Sequence, residues 1–324
     1  MASPIAVYTD LDDLDPSEGI ALLEAEGFEV RVLETRDPDT IVAAATDASA
    51  LLVGYAPVHA DLIERLPGLG IISMLSRGYD SVDVDAATAH DVWVATVGDI
   101  ASTEVATHTW ALTLAAVRRL DFFTLHGRRD WLDRPRYAPR RLSDTTLGLV
   151  GLGRIGSEVA ALAAGSVGSV LGVDRAGRQV PEGVTASSLA DVVAQSDVVS
   201  IHLPLDESTE KLFDADLIAA MKPGSWLINV SRGGIVDSDA LADALDSGHL
   251  AGAALDVLDT EPPLPGDRLA EHPNVLLTPH VAYLSDRTAR EYVRMQATNV
   301  VEWYRTGCPS HAVTKPTTPN EVIA

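Results

Sequence analysis

Apolar and polar positions along the chain fall into two alternating series. In the first hundred residues, β-rich runs at Ile5 to Tyr8, Phe28 to Val32, Leu51 to Val53, Gly70 to Ser73 and Val92 to Ala95 are separated by stretches of helical spacing at Glu18 to Glu26, Pro38 to Thr46 and Ala60 to Leu66. Parallel neighbours need a crossover of helix length between them, so this rhythm spells βαβ units and a small parallel sheet. From Ser102 an amphipathic stretch runs to about Leu120 and opens on Ser-Thr-Glu, a sequence suited to capping; it reads as a rigid connector. The Arg-rich segment from Asp121 to Arg141, with Trp131, Pro135 and Pro139, breaks the period and reads as an extended arm.

A second series begins near Thr146. Strands are expected at Thr146 to Val150, Ser169 to Val173, Val198 to His202, Trp226 to Val230, Ala253 to Val257 and Val275 to Thr278. A helix is expected at Ser157 to Ala164, another from Asp237 to Leu245 with Gly248 just beyond its end, and a long one from Asp286 to Tyr304. The tail from Ala312 to Ala324 is polar and contains prolines, and disorder is expected there. The alternation predicts an α/β fold of two doubly wound parallel-sheet domains, and 324 residues exceed what one hydrophobic core usually organises. No repeat of solenoid period is present.

Composition narrows the function. Apolar residues make up 46% and charged residues 22%, ordinary for a globular chain, and no apolar run approaches the roughly 18 residues of a membrane span. The single cysteine, Cys308, allows no internal disulfide, and the N-terminal stretch MASPIAVYTDLDD lacks a basic segment followed by an apolar one, so a reducing cytoplasm is expected. Against 24 basic residues stand 47 acidic ones, a formal net charge of -23. That excess repels phosphate backbones and anionic lipids, so neither nucleic acid nor membrane is an expected partner. Positive charge is local instead: eight arginines crowd between Arg118 and Arg141.

Thr146-Thr-Leu-Gly-Leu-Val-Gly151-Leu-Gly153-Arg154-Ile155-Gly156 places G-x-G-x-x-G directly after an apolar strand and before a helical run. In that context Gly151 permits the tight turn, Gly153 lets the backbone approach a pyrophosphate, and Gly156 lets the helix pack closely on the strand. Helix-start N–H groups then face the phosphate, with Arg154 and Ile155 in reach. Asp174 ends the next strand about 20 residues on, where a carboxylate accepts from an adenosine ribose and repels a 2'-phosphate. NAD is therefore preferred to NADP, although Arg175 and Arg178 soften the repulsion. No metal is expected.

Arg232, Glu261 and His280 lie at or just beyond the ends of later strands, the edge at which doubly wound sheets present ligands. A guanidinium binds a carboxylate at two points, and a histidine exchanges protons near neutral pH. Each alone is as easily a loop ion pair, a solvated carboxylate or a structural histidine. Together with their surroundings they resemble the NAD-dependent D-isomer-specific 2-hydroxyacid dehydrogenases, which include phosphoglycerate dehydrogenase and the C-terminal binding proteins. The resemblance rests on Gly151 to Gly156, His202-Leu-Pro-Leu205, Met221-Lys-Pro-Gly224, Asn229-Val-Ser-Arg232-Gly-Gly-Ile-Val-Asp237, Gly252-Ala-Ala-Leu-Asp256-Val, Thr260-Glu261-Pro-Pro and Thr278-Pro-His280.

The resemblance implies a Rossmann NAD-binding domain, residues 101–286, inserted into a flavodoxin-like substrate-binding domain of residues 1–100 and 287–324. It implies His280 as general acid/base, Glu261 as its carboxylate partner and Arg232 as substrate anchor, with Arg232 and His280 also beside the cofactor. Asp256 is implied near the nicotinamide, and His202, Pro204, Thr209 and Val230 along the cofactor. It implies a homodimer through the connector helix and the Arg-rich arm. Substrate contact falls to Ser76, Arg77 and Gly78, where the family loop Gly-x-Gly-Tyr/Phe-Asp-Asn is replaced by Ser76-Arg-Gly-Tyr-Asp-Ser81. Arg77 either binds a second anionic group of the substrate or points to solvent or Asp80. Thr107 replaces a usual acidic residue. Arg140-Arg-Leu-Ser and Ala282-Tyr-Leu-Ser resemble the C-terminal binding protein branch. Three readings follow: a dehydrogenase of small 2-hydroxy acids, an NAD(H)-responsive corepressor-like binding protein, or a phosphite or phosphonate dehydrogenase on the same scaffold.

Overall fold

The computed structural model describes residues 3–11, 14–129, 131–132, 138–173 and 180–314. The chain divides into two units, Met1–Ile100 with Leu284–Ala324, and Ala101–Tyr283. In the first, strands β1 (Ile5–Tyr8), β2 (Glu29–Val32), β3 (Ala50–Val53), β4 (Ile71–Met74) and β5 (Trp93–Ala95) alternate with helices α1 (Ser17–Ala25), α2 (Pro38–Ala45), α3 (Ala60–Glu64) and α4 (Val84–Ala89). Asp37 and Asp83 cap α2 and α4 by accepting from Thr40 and Ala86 N–H. The sheet is parallel throughout in the order β2-β1-β3-β4-β5 among the described residues. Strands β1, β3 and β4 are buried along their whole length, as sheets covered on both faces require.

The second unit begins with α5 (Ser102–Arg118) and α6 (Leu120–Arg129). It continues through β6 (Thr146–Val150), α7 (Arg154–Ala163), β7 (Ser169–Val173), β8 (Val184–Ala186), α8 (Leu189–Gln195), β9 (Val198–Ile201), α9 (Ala215–Ala219), β10 (Trp226–Asn229), α10 (Ser238–Asp246), β11 (Gly252–Leu255) and β12 (Val275–Leu277). Its parallel sheet runs β12-β11-β10-β9-β6-β7-β8 among the described residues. The chain enters at β6, moves outward to β8, and crosses back to β9 on the other side of β6. That reversal defines a topological switch point between β6 and β9. Apolar layers cover both faces, one around Ile201, Phe213 and Leu241, the other around Leu149, Val159 and Ile228.

The last helix, α11 (Thr288–Thr306), returns to the first unit, where Ala297, Val300 and Trp303 pack with Leu23, Leu52 and Ile71. Its buried Gln296 donates to the carbonyls of Val53 and Ser73, and Asn299 to that of Thr96. Carbonyls at three strand ends are thus satisfied without water.

Three expectations need correction. Residues 120–129 are helical, not an extended arm. Arg119 takes the left-handed conformation (φ 51°) and ends α5, after which the proline-free stretch from Leu120 winds again. Ser102 does not cap α5, because it is already the first helical residue and Ala101 stands at the cap. The tail is ordered as far as Thr314: Ala312 bridges Ala95, Val313 N–H donates to Val94 O at 2.7 Å, and Thr314 Oγ1 accepts from Val94 N–H at 2.7 Å. Open edge-strand groups recruit a passing backbone without any side-chain pattern. Residues 315–324 lie outside the described residues, as do residues 133–137 of the arm. Among the described residues no helix is long and apolar enough to cross a membrane.

Candidate active site

Strand register sets the site. Val150 pairs with Ile201, Ile201 with Asn229, Asn229 with Leu255, and Leu255 with Leu277. The residues that follow these strands, Gly151, His202, Val230, Asp256 and Thr278, therefore emerge in one row along the carboxyl edge, across the switch point.

Gly151 has φ +102°, and a Cβ on it would meet His202 O at 2.4 Å. A Cβ on Gly156 would meet Gly151 O at 2.1 Å. Only glycine permits this turn and this approach of α7 to it. Gly153, the N-cap of α7, behaves differently: a Cβ there meets nothing within 4 Å, and no side chain caps the helix. The turn is thus tight on its inner side and open where the helix start offers N–H groups and the positive end of its dipole. Arg154 and Ile155 form the first turn of α7. These residues fit a dinucleotide pyrophosphate. Asp174, Arg175 and Arg178 fall outside the described residues.

His202 backs the glycine turn, its Cδ2 lying 3.5 Å from a Cβ built on Gly156. Its Nε2 is 2.9 Å from Ser200 Oγ, while Nδ1 is buried with no hydrogen-bond partner. Burial pushes its pKa down to about 4, so the ring is neutral at pH 7. Thr209 is buried and spends its hydroxyl on the loop itself, donating to Pro204 O at 2.7 Å and accepting from Asp206 N–H at 2.8 Å. Pro204 is exposed and Val230 buried.

Asn229, at the end of β10, clamps the Arg232 turn. Its Nδ2 donates to Arg232 O at 2.8 Å and its Oδ1 accepts from Ser231 N–H at 3.0 Å. Ser231 Oγ donates to Ile201 O, and Arg232 Nη1 to Ser231 O. A Cβ on Gly233 would meet Leu258 C at 2.0 Å, so this turn lies directly against the segment leading to Glu261. Leu258 N–H in turn donates to Glu261 Oε1 at 2.9 Å.

Glu261 Oε2 lies 2.6 Å from His280 Nδ1, the side chains being 31% and 25% exposed. Partial burial works to raise the Glu261 pKa. The hydrogen bond and charge of His280, the Leu258 N–H and the charge of Arg232 outweigh it and hold the carboxyl below its usual range. An ionised carboxylate only accepts, so His280 carries its hydrogen on Nδ1 and presents Nε2 as the atom for proton exchange. Glu261 thus lies against His280 and within the electrostatic reach of Arg232. Tyr283 packs edge-on to His280 at 6.5 Å between ring centroids.

Asp256 is only 1% exposed, and its carboxylate serves the loop that carries His280. Oδ1 accepts from Thr278 Oγ1 at 2.5 Å and Val281 N–H at 3.0 Å, and Oδ2 from Ala282 N–H at 2.8 Å. Its main-chain oxygen accepts from His280 N–H at 2.8 Å. His108, on α5, reaches Thr278 Oγ1 at 3.1 Å. The sequence reading singled out neither His108 nor the Asn229 clamp. A polar residue closing the apolar strand Trp-Leu-Ile-Asn could have flagged Asn229; nothing in the spacing of α5 flags His108.

In the first unit, Ser76 Oγ donates to Gly78 O at 2.6 Å. Arg77 points neither to open solvent alone nor to Asp80: its Nη1 is 2.7 Å from Asp99 Oδ1.

Residues 110–282 match the family described as D-isomer specific 2-hydroxyacid dehydrogenase, NAD binding domain. A glyoxylate reductase of Aeropyrum pernix is 33% identical over 313 residues, covering 92% of this chain and 93% of that protein. The chain belongs to the D-isomer specific 2-hydroxyacid dehydrogenase family. A D-3-phosphoglycerate dehydrogenase of Mycobacterium bovis is 37% identical over 285 residues, 87% of this chain; the match spans 53%, about half, of that longer relative. Among solved structures, the NADPH-dependent glyoxylate/hydroxypyruvate reductase of Sinorhizobium meliloti in complex with NADP and malonate superposes with a TM-score of 0.85 at 32% identity, covering 97% of both chains.

In this family member, desolvation of the half-buried His202 pushes its pKa from 6.5 down to about 4, so folding excludes its proton. Stability is unaffected above pH 6.5 and is lost as pH falls toward 4, by on the order of 3 kcal/mol. Denaturant titrations at stepwise pH should show that slope, and His202→Asn should flatten it. An equally steep slope in the variant contradicts the burial account.

Proposed function

We propose that the protein is an oxidoreductase that moves a hydride between NAD(H) and a small 2-oxo acid or D-2-hydroxy acid. The observation that carries this reading is the His280 Nδ1 to Glu261 Oε2 pair at 2.6 Å, set beside Arg232 on the sheet edge that also bears the glycine turn. When bound, the dinucleotide supplies or takes the hydride at the substrate carbon. Gly151, Gly153, Arg154, Ile155 and Gly156 would hold its pyrophosphate and Asp174 its ribose, with His202, Pro204, Thr209, Val230 and Asp256 along it.

Arg232 grips the substrate carboxylate at two points and draws electron density from the adjacent carbonyl. His280, protonated and held by Glu261, gives its Nε2 proton to the carbonyl oxygen during reduction; in oxidation the neutral ring takes the hydroxyl proton back. Ser76, Arg77 and Gly78 serve as substrate contacts. Asp99 already neutralises Arg77, so a second substrate anion would compete with a carboxylate at 2.7 Å. Monoanions such as glyoxylate, pyruvate and hydroxypyruvate fit better, in keeping with near full-length similarity to a glyoxylate reductase. We place the protein in the cytoplasm. Helix α6 buries none of its residues in its own chain, and Leu125, Trp131 and Leu132 are exposed, which supports pairing of two copies through α5 and α6.

Nicotinamide absorbance should report turnover with at least one of glyoxylate, pyruvate, hydroxypyruvate, oxaloacetate or phosphite, and His280→Ala should lower kcat at least about a thousandfold. Reduction should fall and oxidation rise with increasing pH. Tight NADH binding without turnover of any compound would instead favour a sensor. Asp174→Ser should raise kcat/KM for NADPH relative to NADH by about tenfold or more, since it removes a charge repelling the 2'-phosphate; an unchanged ratio would refute the assignment of Asp174. Sedimentation should give a dimer that Leu125→Asp dissociates, whereas a wild-type monomer would exclude this pairing.

A further inference from the structure

We propose that His108 is a positioning residue for the proton-transferring loop, acting through the hydroxyl of Thr278 on the buried carboxylate of Asp256; the inference rests on the catalytic reading of His280 above.

The direction of each hydrogen bond follows from donor inventory. Thr278 has one hydroxyl hydrogen, and at 2.5 Å from Asp256 Oδ1 it gives that hydrogen to a group that only accepts. The same oxygen lies 3.1 Å from His108 Nε2, so the imidazole must be the donor there and carries its hydrogen on Nε2. Direct contact between His108 Nε2 and Asp256 Oδ1 is 3.7 Å, too long for a hydrogen bond. The connection is therefore a relay, Nε2–H to Oγ1–H to Oδ1, and each bond in it polarises the next.

That relay ends on the anchor of the loop. Asp256 holds Val281 and Ala282 through its carboxylate and His280 through its main-chain oxygen. His280 itself sits at φ +52°, a left-handed conformation unfavourable for a non-glycine residue. The bonds around Asp256 over-determine this backbone and aim the ring at Glu261. His108 is the group by which α5, the first helix of this unit, fixes the orientation of the carboxylate on which the loop is wound. Proton transfer is sensitive to sub-ångström displacement, so a loosened relay should slow chemistry more than it weakens ligand binding.

Three variants separate positioning from packing. His108→Leu keeps bulk and removes the donor, Thr278→Val keeps shape and removes the link, and His108→Gln restores an N–H near the position of Nε2. Steady-state kinetics with the best 2-oxo acid should show kcat reduced about tenfold in His108→Leu and Thr278→Val. KM for NADH should stay within about twofold, and His108→Gln should return to within about threefold of wild type. In parallel, the Nδ1 proton of His280, identified by its disappearance in His280→Gln, should give a low-field NMR signal in wild type and His108→Gln that is broadened or lost in His108→Leu. Wild-type kcat together with an intact signal in His108→Leu would overturn the proposal. So would a loss that His108→Gln fails to repair. If the wild-type protein turns over no acid at all, the catalytic reading falls, and the NMR signal alone decides whether His108 positions the loop.

Discussion

Parallel register is the constraint on which the site depends. Because Val150, Ile201, Asn229, Leu255 and Leu277 are aligned across neighbouring strands, a glycine turn, a half-buried histidine, an asparagine clamp and a buried aspartate all reach one sheet edge. None of these groups is a neighbour of the next in sequence. A slip of one residue in any ladder would turn every following side chain to the opposite face. The fully buried apolar strands β9, β10 and β11 supply the hydrophobic gain that holds the register, and the polar chemistry begins only where they stop.

At that edge, Arg232, Glu261 and His280 are held in place by other residues. Asn229 fixes the turn of Arg232 with both ends of its amide, and Gly233 lets that turn lie on Leu258. Leu258 N–H holds one oxygen of Glu261 and leaves the other for His280. Asp256 keeps His280 in an unfavourable backbone conformation. The pattern explains how a partly exposed imidazole and carboxylate keep a 2.6 Å contact that two surface side chains would ordinarily give up to water.

Much of this was legible in the chain. The strands were readable because buried parallel strands are continuous apolar runs, and the glycine motif because its spacing is tied to a strand and a helix on either side. Arg232, Glu261 and His280 could be named because each follows such a run. Other features left no trace in the pattern. Helix α6 is only ten residues long and has no fully buried residue, and the arginines and prolines that follow its apolar Leu120, Phe122, Phe123 and Leu125 read as irregular. Helix α4 is short and alanine-rich. The pairing of residues 312–314 with β5 is made by backbone, which any sequence possesses. His108 and Asp256 meet across more than a hundred residues through a threonine, a contact that no local spacing encodes.

The most direct measurement of the central claim is the fate of the transferred hydrogen. NADH carrying deuterium at both C4 positions of the nicotinamide, incubated with the protein and glyoxylate, pyruvate or hydroxypyruvate, should deliver one deuterium to C2 of the product, and the products of pyruvate and hydroxypyruvate should have the D configuration. Oxidised cofactor should appear in equal amount. Product lacking deuterium at C2, product of the L configuration, or no product from any of the three acids would contradict the account.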